Sequence, residues 1–384
     1  MKKTIVKILS YVLVAFVAAG TTAVCFMASR IANTGKLTEL ESLLSQCYIG
    51  DVDHDKLEDA AASAMVWALG DEWSYYMTAE EYESYKEAMS NSFVGVGITV
   101  SPREDNQGLD IISVTKDSPA MEAGVMVGDR LIGVNDSSVL GMDSNAIAGL
   151  IRGEEGTEVK LTVDREGKSL SFTMERRKIE SEVATAKMLE DNVGLVTIEN
   201  FDGRCADETV TAIEDLLEQG AESLIFDVRN NPGGYKHELV EVLDYLLPEG
   251  EIFRSEDYMG NTETDYSDAS CLDIPMVVLV NLESYSAAEF FAAALDYYDA
   301  ATIVGEKTYG KGYFQTAFQL NDGSAVNLSI GKYYTPDGKS LAGVGLTPDV
   351  VVDVDEETEK AILLGTLEPK DDPQIQAAIE ALKQ

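Results

Sequence analysis

Between residues 185 and 366 the chain alternates short apolar, β-branched runs with amphipathic stretches. "VGLVTIENF" leads into "DETVTAIEDLLEQG", and "SLIFDVR" leads through "NNPGG" into "KHELVEVLDYLL". "IPMVVLVN" then leads into an alanine-rich helix over 286–297, and "ATIVGEKTYGKG" follows. Strands of this kind are buried, and successive parallel strands need a crossover that a helix supplies. The rhythm therefore predicts a layered α/β domain with a largely parallel sheet.

The rest of the chain has a different texture. A length of 384 residues calls for two or three domains. Residues 35–90 read as helices, with "DHDKLEDAAASAMVWAL" stopped by Gly70 and "TAEEYESYKEAM" opened by the capping pattern Thr78-x-x-Glu81. Residues 91–178 read as a compact β-rich module with one intervening helix, "SNAIAGLIRG". The α/β region is assigned to 179–366, and "EPKDDPQIQAAIEALKQ" predicts a C-terminal helix within 367–384.

Residues 1–34 hold an uncharged run of 21 residues, Ile8 to Ala28, preceded by three lysines and followed by Arg30. About 20 apolar residues cross a bilayer as a helix. The flanking charges predict a single-pass anchor with its N-terminus in the cytoplasm and the bulk of the chain outside it. A cleaved signal peptide is the competing expectation, although its apolar region is shorter. The net charge of −39 argues against nucleic acid as a partner. Cys25 falls in the apolar run, and Cys47, Cys205 and Cys271 are widely spaced with no C-x-x-C pair. Neither a disulfide framework, a metal site nor another cofactor is expected.

Three segments of the α/β region can carry chemistry. In "NLESYSAAEFFAAAL" a strand ends, two serines follow, and a helix begins. The first helical N–H groups have no intrahelical acceptors and the helix dipole is positive there, so a serine at this junction sits beside donors suited to an oxyanion. Ser286 is better placed than Ser284, which falls inside the turn; capping alone also explains a serine here. In "GEKTYGKGYFQ", Lys311 lies between Gly310 and Gly312, where backbone can approach closely. A lysine amine acts as general base when its surroundings lower its pKa. Lys307 lacks the glycine flanks, and Gln315 is spaced to orient the amine. "DVRNNPGG" presents backbone N–H groups at a strand end, through Gly233 or Gly234. The histidines are His54 and His237, and His237 reads as a surface residue on the helix after that turn.

Together these segments resemble the carboxyl-terminal processing, or tail-specific, serine proteases, which join a PDZ domain to a Ser-Lys catalytic domain. The resemblance runs over nearly the whole chain after residue 34. It is carried by "DSPAMEAGVMVGDRLIGVN", "IRGEEGTEVKLTV", "IFDVRNNPGG", "VLVNLESYSAAEFFAAAL", "VGEKTYGKGYFQ" and "YYTPDGKSLAGVGLTPDVVV". It implies a crotonase-like layered catalytic domain, Ser286 as nucleophile, Lys311 as general base and Gln315 in support. It also implies oxyanion donors from the backbone of Ala287 and Gly233. Phe93, Val94, Gly95, Val96, Gly97 and Ile98 would line the PDZ peptide groove, and Arg152 matches an arginine that reaches the catalytic site in active relatives. Where the family has Gly-Ser-Ala-Ser-Ala-Ser-Glu, this chain has Glu283-Ser284-Tyr285-Ser286-Ala287-Ala288-Glu289, with a ring beside the serine.

The expectation is a membrane-anchored endopeptidase of the bacterial cell envelope acting on proteins or peptides with free C-termini. Relatives dimerise through terminal helical segments, so the resemblance also implies a homodimer. The rival classes are a catalytically inactive PDZ adaptor and an acyl-CoA enzyme. The intact Ser286, Lys311 and Gln315 set argues against the first. The second has no CoA-binding pattern to support it.

Overall fold

The computed structural model describes residues 35–103 and 107–383. The expected membrane segment lies outside the described residues, and among those described no helix is long and apolar enough to cross a membrane. The chain divides into two units, residues up to Thr78 with Ala317–Leu328, and Ala79–Thr316 with Ser329–Gln384. In the first, α1 (Lys36–Cys47) and α2 (His54–Trp67) precede β1 (Tyr75–Met77). Asp53 caps α2 by accepting from the Lys56 N–H at 3.2 Å. β1 pairs antiparallel with Ala325–Asn327, and the Tyr76 hydroxyl donates to Asp59 at 2.6 Å. "GDEWSYYM", which reads locally as a turn with aromatic anchors between the two helices, thus contains a strand, because "YYM" finds its partner far along the chain, where a local pattern cannot point.

The second unit opens with α3 (Ala79–Met89) and β2 (Ser92–Gly95). The β-rich module follows as β3 (Ile98–Pro102), β4 (Leu109–Val114), α4 (Pro119–Ala123), β5 (Arg130–Val134), β6 (Ser137–Ser138), α5 (Ser144–Ile151), β7 (Glu158–Arg165), β8 (Lys168–Glu175) and β9 (Arg177–Glu180). Its antiparallel sheet runs β3-β4-β5-β7-β8, so β3 is an edge strand, while β9 returns to pair with β2. Alternation decides which side chains go inside: Val159, Leu161 and Val163 of β7 join Leu109, Ile111 and Leu131 in the core. Asp129 at the end of that core is 1% exposed and receives two N–H donors from Arg165, at 2.6 and 2.7 Å.

The expected layered domain comprises β10 (Ala184–Met188), β11 (Val193–Ile198), α6 (Cys205–Glu218), β12 (Ser223–Asp227), α7 (Lys236–Leu246), β13 (Gly250–Asp257), β14 (Thr262–Ser267), β15 (Met276–Val280), α8 (Ala287–Tyr297), β16 (Ala301–Gly305), β17 (Tyr313–Gln319), β18 (Ala325–Tyr334), β19 (Val350–Val351), α9 (Glu356–Leu363) and α10 (Pro373–Ala381). Its sheet runs β10-β11-β12-β15-β16-β19, parallel except for β10. The period-2 alternation of the strands sorts their residues onto two faces. Leu224, Phe226, Met276, Val278 and Val280 meet α6, α7 and α8 on one side. Ile225, Val277, Leu279 and Val304 meet Ile375 and Ala378 of α10 on the other. Every residue of β12 and β15 is accordingly buried.

The expected C-terminal helix is therefore a layer of the domain, and a buried ion cluster holds its start. Asp372 caps α10, accepting from the N–H groups of Gln374 and Ile375 at 2.9 and 3.2 Å. Its other oxygen lies 2.9 Å from Arg229, which also pairs with Asp227 at 2.6 Å and donates to Gln374 Oε1 at 2.9 Å. Removing one partner of such a cluster leaves uncompensated charge in a dry site. Arg229→Ala is expected to lower unfolding free energy by about 3–5 kcal/mol in urea denaturation.

Candidate active site

β12 and β15 are parallel neighbours, so the loops after them emerge at one edge of the sheet. The turn after β15 is held by Ser284. Its hydroxyl donates to Val228 O at 2.7 Å and accepts from the Asn281 N–H at 3.0 Å, and the residue is fully buried. Ser284 is thereby occupied as a structural group. Ser286, the N-cap of α8, is half-buried with φ 59° and ψ −120°. A non-glycine residue rarely enters this region, and a strained strand-to-helix turn of this kind lifts a serine hydroxyl clear of the helix.

Two contacts impose that turn. Gly233, at φ 91°, passes so close that a Cβ on it would lie 2.7 Å from Ser286 Cβ and 2.8 Å from Ala287 N. Only glycine fits there. The second contact is the carboxylate of Glu289, which is fully buried and accepts from the Ser286 N–H at 3.1 Å. The same carboxylate accepts from the Lys311 N–H at 2.8 Å, the Gly310 N–H at 2.6 Å and the Thr308 hydroxyl at 2.6 Å. Burial raises its pKa, against the pull of these donors. Ser-x-x-Glu is the spacing of a capping box, so Glu289 was visible as a local signal; its grip on the lysine loop was not.

Lys311 is half-buried, and its flanking glycines answer to close packing. A Cβ on Gly312 would lie 2.5 Å from Ala342 Cβ, and one on Gly310 2.9 Å from Gly345 N. The Tyr333 hydroxyl donates to the Lys311 carbonyl. Nothing local in the sequence pointed to Tyr333, which comes from β18 and whose pKa burial drives well up. The Lys311 Nζ lies 5.9 Å from the centroid of the Tyr285 ring. Lys307 is exposed.

Other expected site residues fall differently. The Gly233 N–H donates to Asn231 Oδ1 at 2.8 Å, so it is not an open oxyanion donor. Asn231 is fully buried, and its own amide donates to Ile198 O at 2.8 Å. Among the described residues the N–H groups of Ala287 and Gly234 have no acceptor. Gln315 donates to Tyr313 O at 3.2 Å and Ser329 Oγ at 3.1 Å rather than meeting the Lys311 amine. Arg152 is exposed, and its side chain makes no hydrogen bond or ion pair among the described residues. The buried arginine of that module is Arg176, which donates to the carbonyls of Leu150, Ile151 and Glu158. His237 is exposed, beside Glu238 at 3.7 Å and the Tyr235 ring.

In the segment Phe93–Ile98, Phe93, Val94 and Gly95 pair with Ile179, Lys178 and Arg177 of β9. Ile98 opens the edge strand β3, and between them the N–H groups of Val96 and Gly97 have no acceptor among the described residues. The open donors thus fall on Val96 and Gly97 rather than across the whole six-residue segment.

Comparison with known proteins identifies the ensemble. Residues 192–352 match the family described as "Peptidase family S41", and residues 111–165 match "PDZ domain". The "Carboxy-terminal processing protease CtpA" of Bacillus subtilis is 36% identical over 318 residues, 82% of this chain and 68% of that protein. The chain belongs to peptidase family S41. A "Probable CtpA-like serine protease" of Staphylococcus aureus is 33% identical over 84% of this chain and 65% of its own length. This S41 chain thus spans about two thirds of the curated relatives it matches. A structure from Bacteroides fragilis classed with the S41 proteases shares the fold, with a TM-score of 0.58 at 16% identity, covering 88% of this chain and 92% of that one.

Two outcomes test the S41 site's architecture. Gly233→Ala must displace Ser286 or Ala287, and kcat/KM is expected to fall about a hundredfold with circular dichroism unchanged. Asp202, beside the Gly233–Gly234 turn, has its pKa raised to about 7 by burial and by the charge of Glu238. A folded-state pKa above the unfolded value gives stability that is fully present at low pH and declines as pH rises toward 7. Asp202→Asn is therefore expected to raise Tm at pH 8 and to leave it nearly unchanged at pH 4.

Proposed function

We propose that this chain is a membrane-anchored serine endopeptidase that cleaves the C-terminal tails of exported proteins with a Ser286–Lys311 dyad. One observation carries the dyad: the N–H groups of Ser286 and Lys311 share one oxygen, Oε2, of Glu289. Nucleophile and base belong to segments held side by side at the start of a buried helix.

In this reading Lys311, neutral before reaction, takes the proton of the Ser286 hydroxyl as Oγ attacks the scissile carbonyl. The carbonyl oxygen becomes an oxyanion that accepts from the Ala287 N–H at the α8 N-terminus and from the open donor of the glycine pair, Gly234. Collapse breaks the C–N bond, and the lysine ammonium returns its proton to the leaving amine. A water molecule then gives its proton to Lys311 and attacks the acyl-enzyme, releasing a carboxylate and restoring the serine.

The PDZ module selects the substrate by strand addition. A tail pairs with the free edge of β3 while its carboxylate accepts from the Val96 and Gly97 N–H groups. The apolar run Ile8–Ala28 anchors the chain, with the catalytic part outside the cytoplasm, and the terminal helical segments support a homodimer. The layered domain is read as crotonase-like.

The test is cleavage of a peptide with a free C-terminus. Ser286→Ala and Lys311→Ala are expected to abolish turnover while far-UV circular dichroism is retained. Amidation of the peptide is expected to raise KM, because an uncharged end forfeits the anion-binding nest. Full cleavage by the Lys311 variant overturns the dyad.

A further inference from the structure

Tyr285 stands immediately before the nucleophile, where the family segment has a small residue, and its backbone is clamped on both sides. Its N–H donates to Asn231 O at 3.2 Å, and its carbonyl lies 2.9 Å from where a Cβ on Gly233 would stand. The half-buried ring is thereby held in place, tilted against the Tyr309 ring at 5.7 Å between centroids. Lys311 is clamped at its backbone too, by Glu289 at its N–H and Tyr333 at its carbonyl. Its four-carbon side chain is long and unbranched, and ordering such a chain costs rotamer entropy. The Tyr285 ring meets the amine at 5.9 Å, within the range in which an aromatic quadrupole attracts a cation.

We propose that Tyr285 is a positioning residue that holds the Lys311 amine against the segment bearing Ser286. The inference rests on the Ser-Lys reading above. Because Tyr285 and Ser286 are adjacent in the chain, the ring ties the base to the backbone of its own reaction partner. The ring acts in two opposed ways. It reduces the conformations open to the amine, which aids proton transfer, and it favours the ammonium, which delays formation of the base as pH rises.

Titratable groups meet Lys311 or its ring partner from α8, β18 and its own loop. Glu289 of α8 holds its N–H, Tyr333 of β18 holds its carbonyl, and Tyr309 belongs to its own loop and packs on Tyr285. Burial, and after it the charge of Glu283, raises the pKa of the Tyr285 hydroxyl. The Asn230–Gly234 loop carries no titratable side chain.

The experiment is the pH profile of kcat/KM for a free-tailed peptide. Tyr285→Leu is expected to lower the plateau about tenfold, through kcat rather than KM, by loosening the base. It is also expected to move the acid limb down by roughly half to one pH unit, because the ammonium loses its ring contact. Tyr285→Phe keeps the ring face and is expected to match the wild type in both. Pentafluorophenylalanine at position 285 keeps the shape but reverses the quadrupole. It is expected to shift the limb as leucine does, so the test survives a leucine variant that fails to fold. A wild-type limb in the fluorinated variant, or a phenylalanine variant as impaired as the leucine one, overturns the proposal. Lys311→Ala separates the two ideas: activity in that variant sinks the dyad, whereas an inactive Lys311 variant beside an unperturbed Tyr285 series sinks only this inference.

Discussion

The site depends on one buried carboxylate. Glu289 is the third residue of α8, and its two oxygens receive the backbone of the serine turn, the backbone of the glycine-flanked loop and the hydroxyl of Thr308. A carboxylate in a dry site is costly unless donors surround it, and here the donors come from the pieces that must be brought together. The need to satisfy one charge therefore assembles two loops that follow different strands. The placement of Ser286 beside the Lys311 loop follows from solvating that charge with protein.

The sheet makes this possible by being buried on both faces. Its edge is rigid because β12 and β15 are covered by helices on one side and by α10 on the other. Arg229, two residues beyond β12, clamps Asp372 at the start of α10 on one side, while the chain continues into the turn that presses Gly233 against Ser286 on the other. Stability of the second layer and placement of Ser286 thus share a stretch of five residues, from Arg229 to Gly233.

Much of this was legible in the residues. Unbroken apolar runs separated by amphipathic stretches specified the parallel sheet, and the strand-to-helix junction placed Ser284 inside the turn and Ser286 at the start of the helix. The flanks of Lys311 were read correctly as positions of close backbone approach. The differences between expected and observed contacts share a cause. Whether the Gly233 N–H is open depends on the direction of one amide and on an Asn231 side chain two residues away, which composition does not reveal. Gln315 has suitable spacing from Lys311, but its partner Ser329 is supplied by another strand. Tyr333 and the β1 pairing are likewise long-range. Local spacing predicts which residues can meet, and tertiary register decides which ones do.

The layer formed by α10 has a consequence for how such a chain comes into being. Every strand whose face that helix covers precedes it in the sequence, so synthesis makes the sheet first and its lid last. Until the lid emerges, one side of the sheet is an apolar surface facing water and Arg229 has not met Asp372. In the finished fold α10 covers that surface and Asp372 meets Arg229.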